Sequence, residues 1–336
     1  MRAIRSIALL LGVSGSLAAQ TYRVSHTYTL GGDGGWDYLA LDTAGHRLFI
    51  ARQDRVMVVD PSTGKLLAEI PGLNRAHGIA FAYAAGRGFA TSGGDGKVIM
   101  FDLKTLAVQG RIDAAPDADA IIFDPASNRI FTFNGDSRSS TVIDPVAGKN
   151  IGTVDLGGGP EFGVSAGDGK VYVNLEDSSA VDEIDAATMK VTRRWSLAPC
   201  QSPSGLAIDR GHHILFSGCH NQVMAMSDIT TGKVVATLPI GQGVDACRFD
   251  AGTALAFAST GDGNLTVIHE DAPDKFSAVG TVATKRGART MELDEKTHHL
   301  FTVTADFGPP PAPTPERPRP RPPILPGTFA VLELER

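Results

Sequence analysis

The chain has 336 residues, with 37 Asp and Glu against 31 Lys and Arg and a formal charge of −6. An acidic chain without a basic stripe excludes nucleic acid as a main partner, because phosphate-backbone affinity comes chiefly from Lys and Arg releasing counterions. A length above 300 residues ordinarily suggests two domains, which only the internal pattern of the chain can support or remove.

At the N-terminus, Arg2 and Arg5 precede an apolar run over residues 7–13, and residues 16–19 offer small side chains for cleavage. This pattern reads as a secretory signal over residues 1–19. The run is too short to span a bilayer as a helix. Removal of the segment takes two positive charges with it, so the formal charge moves from −6 to about −8. No other long apolar stretch follows. The expectation is an exported chain, periplasmic or extracellular, with no membrane span.

From Gly31 onward one pattern recurs seven times: an apolar strand, a small turn, a second strand, a polar glycine-containing loop, a third strand ending in Asp, a turn, and a fourth strand. The terminal Asp recurs as Asp60, Asp102, Asp144, Asp185 and Asp228, at spacings of 42, 42, 41 and 43 residues, with His269 in its place in the sixth unit. After Asp60, Asp144 and Asp228 come the turns ending in Gly64-Lys65, Gly148-Lys149 and Gly232-Lys233. This is hairpin chemistry, with Asp capping its own backbone and Gly taking the positive φ. The second strands carry Phe49, Phe89, Phe131, Tyr172, Phe216, Phe257 and Phe301 at one shared position. An aromatic repeated at one place predicts a packing layer between neighbouring sheets.

Four strands in a unit of about 42 residues match a blade of a β-propeller. The last unit lacks a fourth strand, while residues 22–30 form a strand with no unit of its own. The sequence therefore predicts an all-β, seven-bladed β-propeller of four-stranded antiparallel blades over residues 20–336, closed by its N-terminal strand. Such a clasp leaves no free edge to pair with another chain, so a monomer is expected. One ring needs no linker, and the two-domain reading falls away.

Of three cysteines, Cys200 precedes the first strand of blade five and Cys219 follows its second. Those strands are antiparallel neighbours in an exported chain, so a Cys200–Cys219 disulfide is expected, stabilising the fold by roughly 2–3 kcal/mol. Cys247, on the apolar face of the first strand of blade six, is expected as a buried free thiol.

In blade four, Val171-Tyr172-Val173-Asn174 and the following segment 180–185, which ends in Ile184-Asp185, resemble the YVTN repeat of the YncE-like β-propellers, as does Val142-Ile143-Asp144 in blade three. The resemblance covers residues 21–336. It implies a propeller of an exported group with diverse roles, and no particular chemistry. A WD40 reading fails, because Trp36-Asp37 opens a unit instead of ending a third strand.

In a propeller the starts of the first strands meet at one mouth of the central channel. Alignment of the units puts Asp37, His77, Asp119, Glu161, Ser204, Asp245 and Arg289 there, none of them apolar. These residues are the candidate ligand site, for a small molecule or a protein. Asp37, His77, Asp119, Glu161 and Asp245 are also a candidate donor set for a divalent metal ion, which would allow a lactonase-like hydrolase or a lyase. Two functions follow: a non-catalytic binding scaffold, which leads, and a metal-dependent enzyme at the same mouth. No catalytic residue is assigned, and no phosphate loop or Cys-x-x-Cys-His motif occurs.

The loops between second and third strands add Asp54, Asp95, Asp136, Glu176, Asp177 and Asp262 on that face, predicting a negative surface there. The one large departure from the repeat is residues 307–326 in blade seven, which hold ten of the twenty prolines together with Arg317, Arg319 and Arg321. Such a segment favours polyproline II. A lid across the mouth, with those three arginines meeting the acidic loops, is one expectation; a solvated tether and a docking motif are the others.

Overall fold

A computed structural model describes residues 22–314, 317–318 and 320–336. The expected secretory segment, residues 1–19, and Arg319 lie outside the described residues.

Seven four-stranded antiparallel sheets stand side by side in a closed ring, with the first strand of each touching the first strands of its two neighbours. Blades one to six are residues 39–71, 76–113, 118–155, 160–196, 203–239 and 244–283. Blade seven takes three strands from Met291–Asp294, His299–Thr304 and Ala330–Glu335, and its outer strand from Arg23–Thr29. That pairing, Arg23 opposite Glu335 and Thr29 opposite Ala330, is the expected clasp. Arg52 secures it: its buried guanidinium lies 3.6 Å from the centre of the Phe329 ring and donates to the carbonyls of Asp33, Gly34 and Gly35.

The repeat explains the sheets. Second and third strands are buried on both faces and read as continuous β-branched and aromatic runs, whereas fourth strands such as Lys233–Pro239 alternate exposed and covered residues with period two. The seven repeated aromatics are all buried, at 0–3 % exposure. They belong to seven apolar clusters, one at each blade–blade interface; Phe49 and Phe101 share one between blades one and two, and Leu48 and Phe301 share another between blades one and seven. Each blade is therefore stabilised chiefly by its neighbours.

The third-strand aspartates cap as expected. Asp60 accepts from the amides of Ser62 and Thr63, Asp144 from Val146 and Ala147, and Asp228 from Thr230 and Thr231. The Cys200–Cys219 disulfide is formed, with Cα atoms 5.7 Å apart, although Cys219 is the last residue of the second strand rather than beyond it. Cys247 is buried and free, its thiol pushed up to about 12 by desolvation. Among the described residues no helix is long and apolar enough to cross a membrane.

Candidate functional site

The first strands carry the site, and in five of the seven blades the strand begins with an irregularity. In blades two to six the pairing between first and second strands slips at one place: after Ala76, Ala118, Pro160, Pro203 and Val244. The residue that follows is His77, Asp119, Glu161, Ser204 and Asp245 in turn. A bulge re-aims a side chain that a regular ladder would hold in the sheet. The register of Glu161 matches that of its counterparts, and Asp37 and Arg289 stand at the same level in blades one and seven.

Those residues meet across the mouth. His77 Nδ1 lies 2.5 Å from Asp37 Oδ2 and 3.4 Å from Asp119 Oδ1. Arg289 pairs through Nε with Asp245 and approaches Asp37 Oδ1 at 3.7 Å, and Ser204 Oγ donates to Asp245 Oδ1 at 3.2 Å. Asp37, His77 and Asp119 offer donor atoms that all lie within 4.8 Å of one another, so these three could hold a metal ion. Asp119 Oδ1 is buried and accepts no hydrogen bond from the protein.

Four carboxylates around one guanidinium and one imidazole are short of positive charge. Desolvation, with Asp119, Glu176 and Asp245 adding repulsion, raises the Glu161 carboxyl to about 9. Desolvation raises Asp119 to about 7 despite the attraction of His77. Burial also pushes Asp245 up, against the pull of Arg289. The cations respond in the opposite sense: burial works against His77 and Arg289, but the carboxylates outweigh it and raise both.

Several residues outside the aligned set build the site. Thr91 donates to the carbonyl of Asp119, Asn174 to those of Ser204 and Gly205, and Ser259 to that of Arg289, so a polar residue two places after the repeated aromatic pins the next blade's mouth residue. The signal was present as Phe89-x-Thr91, Tyr172-x-Asn174 and Phe257-x-Ser259. Below the ring, Tyr38 reaches across the channel to Phe162, ring centres 5.0 Å apart, and Arg248 covers Phe162 at 5.1 Å while bonding Glu292 at 3.0 and 3.1 Å. Tyr38 and Phe162 directly follow Asp37 and Glu161, where the other blades have Gly78, Ala120, Gly205, Ala246 and Thr290. These two aromatics plug the channel. They separate the acidic mouth from a cavity of about 310 Å³ towards the other end, lined by Ile79, Phe81, Ile121, Phe123, Val164 and Phe249.

The expected negative face is neutralised in part, since three of its six acids pair with an arginine and Asp136 lies exposed. Asp54 pairs with Arg55, Asp95 with Arg111, Asp177 with Arg138, and Glu176 lies 3.4 Å from His220, while Asp262 accepts from Thr260 and from the amide of Gln242. Folding brings Asp95 beside Arg111 of the same blade and Asp177 beside Arg138 of the preceding one, which spacing in the sequence does not show. The proline-rich segment begins as a bridge between Phe307 and Ile324, with Phe307 packed on Trp36. Among the described residues neither Arg317 nor Arg321 lies within 4.0 Å of a carboxylate. At the opposite end of the ring His212 sits between Asp209 and Glu270.

No protein-family model matches the sequence, and no curated protein matches it. Among solved structures the chain is similar to the hydrazine synthase of Kuenenia stuttgartiensis, with a TM-score of 0.68 at 15% identity over 79% of this chain and 91% of that chain. At that identity the likeness shows the propeller fold alone.

Proposed function

We propose that this chain is an exported β-propeller of the YVTN-repeat kind that acts as a non-catalytic scaffold, binding a cationic group of a small molecule or a protein at the mouth ringed by Asp37, His77, Asp119, Glu161, Ser204, Asp245 and Arg289. The observation that carries the reading is the buried Asp119 Oδ1, an acceptor without a donor in a ring where carboxylates outnumber cations. A ligand ammonium or guanidinium would supply both the missing hydrogen bond and the missing charge. Export is supported by the disulfide, a bond that persists in oxidising compartments.

Calorimetric titration with spermidine as an amine probe tests it. Binding by the wild type, weakened at least tenfold in Asp119→Asn and in Glu161→Gln, is the expected result. Equal affinity in all three proteins would remove the mouth as the site.

A second reading rests on the donor geometry of Asp37, His77 and Asp119. A divalent ion bound there would act as a Lewis acid towards a carbonyl or a bound water, and the protein would be a hydrolase or lyase. Elemental analysis of the purified protein beside an Asp37→Ala/His77→Ala variant separates the two. About one metal per chain, lost in the variant, favours the enzyme.

A further inference from the structure

The opposite end of the ring holds a second cluster. Asp209 ends the first strand of blade five, His212 lies in the turn that follows, and Glu270 belongs to the third strand of blade six. His212 Nδ1 is 2.8 Å from Asp209 Oδ2 and 3.1 Å from Glu270 Oε1, and the three donor atoms lie within 4.8 Å of one another.

Glu270 is out of place in the repeat. The position after the third-strand Asp is Pro61, Leu103, Pro145, Ala186 and Ile229 in blades one to five, each buried, with Leu103, Ala186 and Ile229 packed in the cluster shared with the preceding blade. Blade six puts a carboxylate there at 4 % exposure, and its Oε2 is buried without a hydrogen-bond partner. A buried carboxylate in an apolar slot, with an oxygen left unsatisfied, costs stability unless something completes it.

We propose that Asp209, His212 and Glu270 form a binding site for a first-row divalent metal ion of the zinc type, set at the interface of blades five and six. Two carboxylates and one imidazole suit such an ion better than Ca²⁺, which takes six to eight oxygens. Donors around zinc lie at about 2.0–2.2 Å, which puts tetrahedral neighbours roughly 3.3–3.5 Å apart. The observed separations of 2.8 and 3.1 Å need only a small opening. His212 is half exposed, so an ion can reach the site from solvent and keep a water in its fourth position. The competing account is a proton shared between the two carboxylates, with His212 resting on them.

Calorimetric titration of the full chain with Zn²⁺ decides between them, using wild type, His212→Ala, Glu270→Leu and Asp119→Asn. One ion per chain is expected in wild type and in Asp119→Asn, with at least tenfold weaker binding in His212→Ala and Glu270→Leu. Glu270→Leu restores the apolar residue of the repeat, and His212→Ala alters an exposed side chain, so the second stays informative if the first fails to fold. Unchanged affinity in His212→Ala, or no binding by wild type, would overturn the proposal. Loss in Asp119→Asn with His212→Ala intact would also overturn it, while assigning the ion to the mouth.

Discussion

The outer hairpins and the channel mouth are furnished with the same side chain to opposite effect. In the hairpins, Asp102 and Asp185 are held below the usual carboxylate range, first by the backbone amides of Thr105 and Thr188; for Asp228 burial is the largest single influence and pushes up, but the hydrogen bonds from Thr230 and Thr231 together outweigh it and hold it low. At the mouth, Asp119, Glu161 and Asp245 are raised, first by desolvation and then by neighbouring carboxylates, Asp37 among them. A turn surrounds a carboxylate with N–H groups that the chain must expose anyway, whereas seven first strands converging on one axis bring acids together with too few donors. Repeated hairpin acids are therefore structural, and converging mouth acids are left with capacity for a ligand.

The largest expected break is steric. A Cβ on Gly93 would come within 2.9 Å of His77 Cδ2 and 3.0 Å of the Ala118 carbonyl, so Gly93→Val is expected to cost about 3 kcal/mol in chemical denaturation, at the upper end for overpacking. Gly86, in a turn at φ 64 with open space around it, is expected to cost only about 1 kcal/mol as Gly86→Ala. Equal losses would mean that the mouth is as tolerant as the turns.

Arg289→Leu comes next. It strands Asp245 and Asp37, and because the guanidinium is 38 % exposed the loss is expected to be about 1–2 kcal/mol instead of the larger figure for a fully buried pair. The deficit should shrink as pH falls and the stranded carboxylates take up protons. A deficit independent of pH between 4 and 8 would show that charge is not its cause.

The wild type carries its own pH signature. The folded chain keeps the protons of Asp119 to about 7 and of Glu161 to about 9, while the unfolded chain releases carboxylate protons near about 4. Between those values the folded state binds more protons, so stability falls as pH rises, levelling off above about 7 for Asp119 and about 9 for Glu161. Glu161→Gln should raise the melting temperature at pH 8 and leave it unchanged at pH 4. No difference at pH 8 would place Glu161 in water.

The smallest effect is expected from the exposed hairpins. Asp102 is held low, so its contribution is present above the unfolded value and lost on acidification. Asp102→Asn should lower the melting temperature less than Arg289→Leu does, and only above about pH 4. A larger loss than in Arg289→Leu would reverse the ordering of the two regions.

Local chemistry determined most of the fold. Periodic Asp, Gly-Lys turns and one aromatic per unit announce seven blades because each device acts within its own hairpin, and the orphan strand over residues 22–30 announces the clasp. The members of the mouth ring were legible too, since first strands start at equivalent places in every unit. What lay beyond the sequence depends on contacts across the channel or between blades: the pairing of loop acids with bases such as Arg111 and Arg138, the reach of Tyr38 from blade one to Phe162 in blade four, and the meeting of Asp209 and His212 with Glu270 of the next blade. Residues far apart in the chain acquire their neighbours only when the ring closes, and it is closure that turns a repeated polar residue into a desolvated site.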